Sequence, residues 1–337
     1  MASKNQPHSV IDAPFYFPLE TGVYEVKPGL YRFPHDFGNG LSEQQIFQFD
    51  ETFPQYHTDK LTARAERLEK YYCRSGFDTA AAKTINRFII QRLLHEHPLN
   101  FSLEQNKDKH TLHCRFSQET LTFDTEYNLR ETSSPHSISR PFIDSFDALV
   151  CQVQEDLAVI RCTATGDDQV IALHLCFPNH WAAEDKIGKS FLDVHRPVPD
   201  MDRIKLSAGQ LLQALVHKGP YIRFAWGIST DKRLNHHPVP PAGTRQDIWE
   251  GRAFNLHEPK LYLRIERQVI YGFSKDCLVL FTIRTYFYDI AHIHKNHPGH
   301  IPVLISAVES MSNQSMHYKG IQKDAPVMLD WLRKIAG

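Results

Sequence analysis

A chain of 337 residues with 42% hydrophobic and 23% charged side chains can bury at least one substantial core, and 38 basic against 39 acidic groups leave a formal net charge of -1. No global field draws such a molecule to nucleic acid or to an anionic membrane, so its partners must be recognised locally. No apolar run reaches the length of a membrane span and MASKNQPHSVIDAPF at the start lacks the regions of a signal peptide, which points to the cytoplasm.

Residues 1–140 read as an opening mixed region of helices and extended segments. GVYEVKPGLYRF (22–33) is extended and broken at Pro28-Gly29, and HTDKLTARAERLEKYYCRSG places Leu61, Ala65, Leu68 and Tyr72 at helical spacing. Asp78 can cap a second helix, whose Ala82, Ile85, Ile89 and Leu93 form one apolar face before Pro98. KHTLHCRFSQETLTF (109–123) reads as a hairpin and SSPHSISRP (133–141) as a linker. Strands dominate residues 141–290. DLAVIRCTATGDDQVIALHLCFP gives two β-rich runs around Gly166-Asp167-Asp168, and a helix opening on Asp200 repeats Ile204, Ala208, Leu211 and Leu215 before Gly219-Pro220. YIRFAWGIS, LYLRIERQVIYGF and DCLVLFTIRTYFYD are three further strands, and residues 291–337 close the chain as a helical extension. This order predicts an α+β fold with an antiparallel sheet and helices on one face. It also leaves a cavity between the sheet and the connection at 177–200.

Several chemistries lack their signatures. The six cysteines form no CxxC pair, so they read as reduced, mostly buried thiols. There is no HExxH, GxSxG, Walker loop or GxGxxG; Gly38-Asn39-Gly40 begins the last pattern without completing it. No site for NAD(P)H, flavin or ATP is therefore visible. Ser229 and Lys232 satisfy a bare SxxK in a loop-like polar run. HIHKNHPGH, with His292, His294, His297 and His300, has metal-binding residues but its Pro-Gly interruption reads as a solvated loop.

The stretch FPNHWAAEDKIGKSFLDVHRPVPDMDRI resembles the signature region of the haem-dependent oxidative N-demethylase α-subunit family, in which Trp-x-x-x-x-Lys-x-Gly leads to His-x-Pro-Val-Pro. RFAWGI (223–228), LRIERQ (263–268), LFTIRTY (280–286) and a late Tyr318-Lys319-Gly320 follow in the family's order, although Ala225 stands where the family usually has Asn. The resemblance implies a PAS-like domain enclosing haem b between the sheet and the helical connection, within 141–290. It implies a catalytic subunit that converts dimethylamine to methylamine and formaldehyde with dioxygen. NADPH-derived electrons would arrive from a reductase, with FMN, an iron–sulfur cluster and tetrahydrofolate on partner subunits.

On that resemblance His195 is the iron ligand, its neutral imidazole directed by the stiff Pro197 and Pro199 that follow. His174, His180 and Cys176 are its rivals. Alternation in LYLRIERQ sends Leu261, Leu263 and Ile265 one way and Tyr262, Arg264 and Glu266 the other. Glu266 is the candidate holder of a substrate ammonium, with Arg223 paired to it and polarising dioxygen. Arg264, Arg267, Arg284 and Lys186 are candidates for the haem propionates, and Trp226 for the lining. Two haem-free or non-catalytic readings stand beside this one: a small-ligand binding domain, and a haem-based gas or redox sensor. Against the latter, no output domain or sustained heptad is attached.

Overall fold

A computed structural model describes residues 13–135, 138–163, 166–250 and 253–337. The opening residues behind the leader reading, through position 12, and part of the linker reading, positions 136–137, lie outside the described residues. In chain order the elements are β1 (Tyr31–Arg32), α1 (Phe53–Tyr71), β2 (Tyr72–Arg74), α2 (Thr79–Glu96), then β3 (Phe101–Gln105), β4 (Lys109–Cys114), β5 (Glu119–Asp124) and β6 (Leu129–Ser133). There follow α3 (Ser145–Val150), β7 (Asp156–Cys162), β8 (Asp168–His174), α4 (Phe191–Val194), α5 (Asp202–His217), β9 (Tyr221–Ser229), α6 (Gln246–Glu250), β10 (Tyr262–Phe273) and β11 (Leu278–Asp289). Helices α7 (Ile290–Asn296), α8 (His300–Glu309), α9 (Asn313–Tyr318) and α10 (Ala325–Ala336) end the chain. No helix among the described residues is long and apolar enough to cross a membrane.

The fold is α+β, as expected, around an antiparallel sheet ordered β1-β9-β10-β11-β7-β8-β2. The expected hairpin at 109–123 is the centre of a second, four-stranded meander, β3-β4-β5-β6. Helices cover both faces of the large sheet rather than one. Phe53 and Leu68 of α1, Ile85 and Ile89 of α2 and Phe146 of α3 pack with Leu157, Val159, Ile171, Val269 and Leu280 on one face. On the other, Leu212, Leu215 and Val216 of α5 pack with Ile270 and Val279. Residues on either side of position 140 thus share one core.

Asp78 caps α2 as expected, accepting from the Ala81 N–H at 2.9 Å. The buried side of α1 differs from the apolar spacing. Ala65 is exposed and Tyr72 opens β2, while Lys60 and Arg64 are fully buried. Both cations are partnered: Lys60 Nζ donates to the Val150 and Val153 carbonyls at 2.9 Å, and Arg64 forks onto Asp147 at 2.7 Å through two nitrogens. Hydrophobic periodicity does not register a buried face built from charge.

Two further expectations are corrected. Helix α5 starts at Asp202 and takes no cap from Asp200, whose backbone has φ +59° and whose carboxylate accepts from Ser312 and Ser315 hydroxyls at 3.0 Å. HIHKNHPGH is a solvated loop only at His297-Pro298-Gly299, which are non-helical and exposed. Asp289 caps α7 through the Ala291 N–H, which makes His292 and His294 helical, and His300 opens α8. His297 stacks on Phe15 and His300 meets Phe17 edge-on, so these two rings serve packing.

Candidate functional site

The period-2 alternation of adjacent strands decides which side chains meet above the sheet. Arg223, Ala225 and Gly227 of β9 stand opposite Gln268, Glu266 and Arg264 of β10, giving a polar half. Ala158, Ile160, Val279, Phe281 and Ile283 from β7 and β11 give an apolar half. The facing wall comes from 179–201 and α5, including Trp181, Phe191, Val194, His195 and Leu215. Together they line a cavity of about 1510 Å³, larger than the ~300–1,000 Å³ of ordinary small-molecule sites. Its lining continues round the margin of β9 to Tyr24, Trp226 and Lys319.

His195 sits at the C-terminal end of α4, a turn capped by Ser190, whose oxygen accepts from the Asp193 N–H. Its Nδ1 lies 2.8 Å from the Phe191 carbonyl. A carbonyl only accepts, so Nδ1 carries the proton and Nε2 keeps its lone pair. Burial pushes this imidazole below its ordinary pKa against the Phe191 hydrogen bond, and the nearby Arg223 and Lys186 push the same way. A neutral ring, oriented through one nitrogen with the other free, is the arrangement that metal-ligating histidines adopt.

The rivals separate by position. His174 is fully buried with Nε2 2.9 Å from Asp147, and burial lifts the Cys176 thiol well above its ordinary range; neither lines the cavity. His180 does line it, at φ +60°, with its ring stacked 5.1 Å from His236. Asp147, Cys151 and His174 do bring three potential ligand atoms within 4.8 Å of one another. Arg64 already occupies both Asp147 oxygens, and burial pushes the Cys151 thiol up to about 12, so this trio suits an ion-pair core better than a metal.

Glu266 and Arg264 share the cavity face, as alternation predicts. The expected Arg223–Glu266 contact is replaced by two others: Glu266 accepts from Arg264 Nη2 at 3.4 Å and from Gln268 Nε2 at 3.2 Å. Arg223 makes no hydrogen bond among the described residues and its Nε is buried without a partner. Burial depresses its pKa, and the Glu266 charge opposes that. The geometry fits a large, partly apolar cofactor with anionic edges: a free imidazole nitrogen, apolar walls and an unpaired guanidinium.

The remaining candidates divide. Arg284 lies on the opposite face, paired to Asp50 at 2.7 Å between the rings of Tyr56 and Tyr286. Arg267 also points away from the cavity and donates to the carbonyls of Gln45 and Ile46. Neither reaches the cavity, which corrects their expected place beside a propionate. Arg264 lines it but is engaged by the Phe177 carbonyl and His236 Nδ1. Lys186 lines it and donates to the Val194 carbonyl at 2.7 Å. Trp226 lies on the reverse of β9 from Arg223, edge-on to Tyr24.

Three residues escape the sequence reading. Gln268 is two positions beyond Glu266, so alternation alone identifies it. His236, held by Asp231 at 2.9 Å, comes from a loop with no periodic signal. Lys319 donates to the Trp226 carbonyl at 2.6 Å beneath Tyr24, and burial pushes its ammonium down to about 8 against the pull of Glu266. Its Tyr-Lys-Gly motif is visible in sequence; its destination is not.

A family model described as haem-dependent oxidative N-demethylase, alpha subunit-like, matches residues 39–329. The chain belongs to that family.

Proposed function

From that membership, we propose that this chain is the catalytic subunit of a haem-dependent oxidative N-demethylase acting on a small secondary amine, with dimethylamine giving methylamine and formaldehyde. His195 would hold the iron of a haem b in the PAS-like pouch, and the observation that carries this reading is its Nδ1–H fixed on the Phe191 carbonyl with Nε2 free. Bound haem supplies the oxidising chemistry with dioxygen and NADPH-derived electrons; FMN, an iron–sulfur cluster and tetrahydrofolate belong to partner reductase and folate-binding subunits. Glu266 would bind the substrate ammonium, its carboxylate oriented by Arg264 and Gln268. Arg223 would meet an anionic group and stabilise negative charge developing beside the substrate. The apolar half would exclude water, and Lys186, tied to Val194, would brace the turn carrying His195.

The test is spectroscopic. Protein expressed with ample haem should show a Soret band that shifts on titration with dimethylamine, and its carbonyl adduct should have the imidazole rather than the thiolate form. His195→Ala should lose the haem, and Glu266→Gln should keep it while weakening the amine response about tenfold or more, the scale of a lost hydrogen bond to a charge. Haem binding without amine-dependent oxygen uptake would reassign the chain to gas or redox sensing. Colourless protein after haem-replete expression would sink both.

A further inference from the structure

We propose that Cys162 and Cys277 form a redox-sensitive pair that closes to a disulfide when the chain meets a peroxide. The register that sets Leu278 opposite Arg161 and Val279 opposite Ile160 brings Cys277, one residue earlier, opposite Cys162. The Cys162 N–H donates to the Cys277 carbonyl at 2.8 Å, so the two are a hydrogen-bonded antiparallel pair. Such a pair holds its Cα atoms about 5.5 Å apart, inside the span of about 4.4–6.8 Å that a disulfide bridges. Directly opposed residues project to one face of the sheet with Cβ atoms about 5 Å apart, and the bond needs about 4 Å. The difference falls on the turn between β10 and β11, where Ser274, Lys275 and Asp276 are exposed.

The pair is asymmetric in the way a sensor requires. Cys277 is half-buried in the turn, its thiol 3.9 Å from the Ser274 carbonyl, whereas Cys162 is 5% exposed beneath Leu212, Leu215 and Val216 of α5. A peroxide therefore reaches Cys277 first. Its sulfur takes one oxygen, giving a sulfenic acid and water, and Cys162 attacks that sulfur, expelling a second water. Overall, two thiols give two electrons and two protons to one hydrogen peroxide and leave one disulfide. Burial pushes the Cys162 thiol up to about 11, reinforced by Asp168 and by Cys277 itself, so it stays inert until its neighbour is oxidised. Cys277 also holds φ +51°, a left-handed backbone that glycine adopts without strain, so the position keeps a thiol at a conformational cost. On its other side Cys162 stands opposite Asp168, whose carboxylate accepts from the Phe191 N–H at the start of α4. The crosslink would therefore fasten the β10–β11 turn to the strand row that seats the turn of His195.

The experiment treats the full reduced chain with a small excess of hydrogen peroxide, blocks the remaining thiols and maps the unreduced digest by mass spectrometry. Reactive thiols should fall by two from the six of the reduced chain. One peptide pair joined through Cys162 and Cys277 should appear about 2 Da lighter than its parts, and dithiothreitol should restore both thiols. Cys162→Ala should lose the crosslink and leave Cys277 as a sulfenic acid that dimedone traps. Cys277→Ser, at a half-buried position that tolerates the change, should leave Cys162 unmodified at the same dose. Oxidation that stops at Cys277 in the wild-type chain, a crosslink between other cysteines, or survival of all six thiols overturns the proposal.

Discussion

The two faces of the large sheet handle buried charge in opposite ways. On the face packed by α1 to α3, Arg284 is paired with Asp50, Arg64 with Asp147, and Lys60 with main-chain carbonyls. On the cavity face Arg223 makes no hydrogen bond among the described residues and feels Glu266 only through its charge, while Glu266 itself is shared by Arg264 and Gln268. Burying an ion is costly unless its charge is answered. The first face answers its main charges within the chain, although Glu155 Oε2 keeps no partner there; on the second, the Arg223 guanidinium is met by no hydrogen bond among the described residues. The same residue type, arginine on a β-strand, is ion-paired core or cavity lining according to which side of the sheet it faces.

That contrast can be broken by substitution. Arg284→Met should cost about 3–5 kcal/mol, because it strands Asp50 in the core; chemical denaturation measures it, and a loss below 1 kcal/mol would erase the distinction. Acid probes the same side of the sheet through His97, whose Nε2–H donates to the Phe47 carbonyl and whose pKa burial pushes down to about 4. The unfolded chain takes up this proton near pH 6.5 and the folded chain resists until about 4. Stability should therefore be full above pH 6.5 and fall on the order of 3 kcal/mol towards pH 4, a slope that His97→Gln removes. Arg223→Met should leave stability unchanged or raise it by about 1 kcal/mol, since no partner is stranded; a loss of that size in the melting curve would reveal a hidden partner. Gly227→Ala gives the smallest effect, a gain of about 0.5–1 kcal/mol in the same assay from relieving a strand glycine.

Much of the sheet was legible in sequence because β7 to β11 are rich in β-branched and aromatic residues and alternate cleanly. The same alternation separates Glu266 from Arg267, one residue on, and so could have removed Arg267 from the propionate candidates. Arg284 is harder: its face follows only once the register sets Thr285 opposite Glu266. Helix α1 hides its inner side because Lys60 and Arg64 look like solvent residues until Asp147 and the carbonyls of 150–155 are folded against them. The helical HIHKNH segment was obscured by the Pro-Gly that follows it, although Asp289 is a visible cap. His195 carries no distinguishing spacing at all, and its selection rests on the resemblance.

The large sheet ends in a three-residue β2 on one side and a two-residue β1 on the other, so most of β9 offers bare main chain. Tyr16, Tyr24 and Phe37 lie against its Phe224 and Trp226, and the Lys319 ammonium occupies the carbonyl that a neighbouring strand would otherwise claim. That cover denies other molecules a template for edge-to-edge growth, the usual route from an open sheet to aggregates. Peeling it away would unmask a sticky rim.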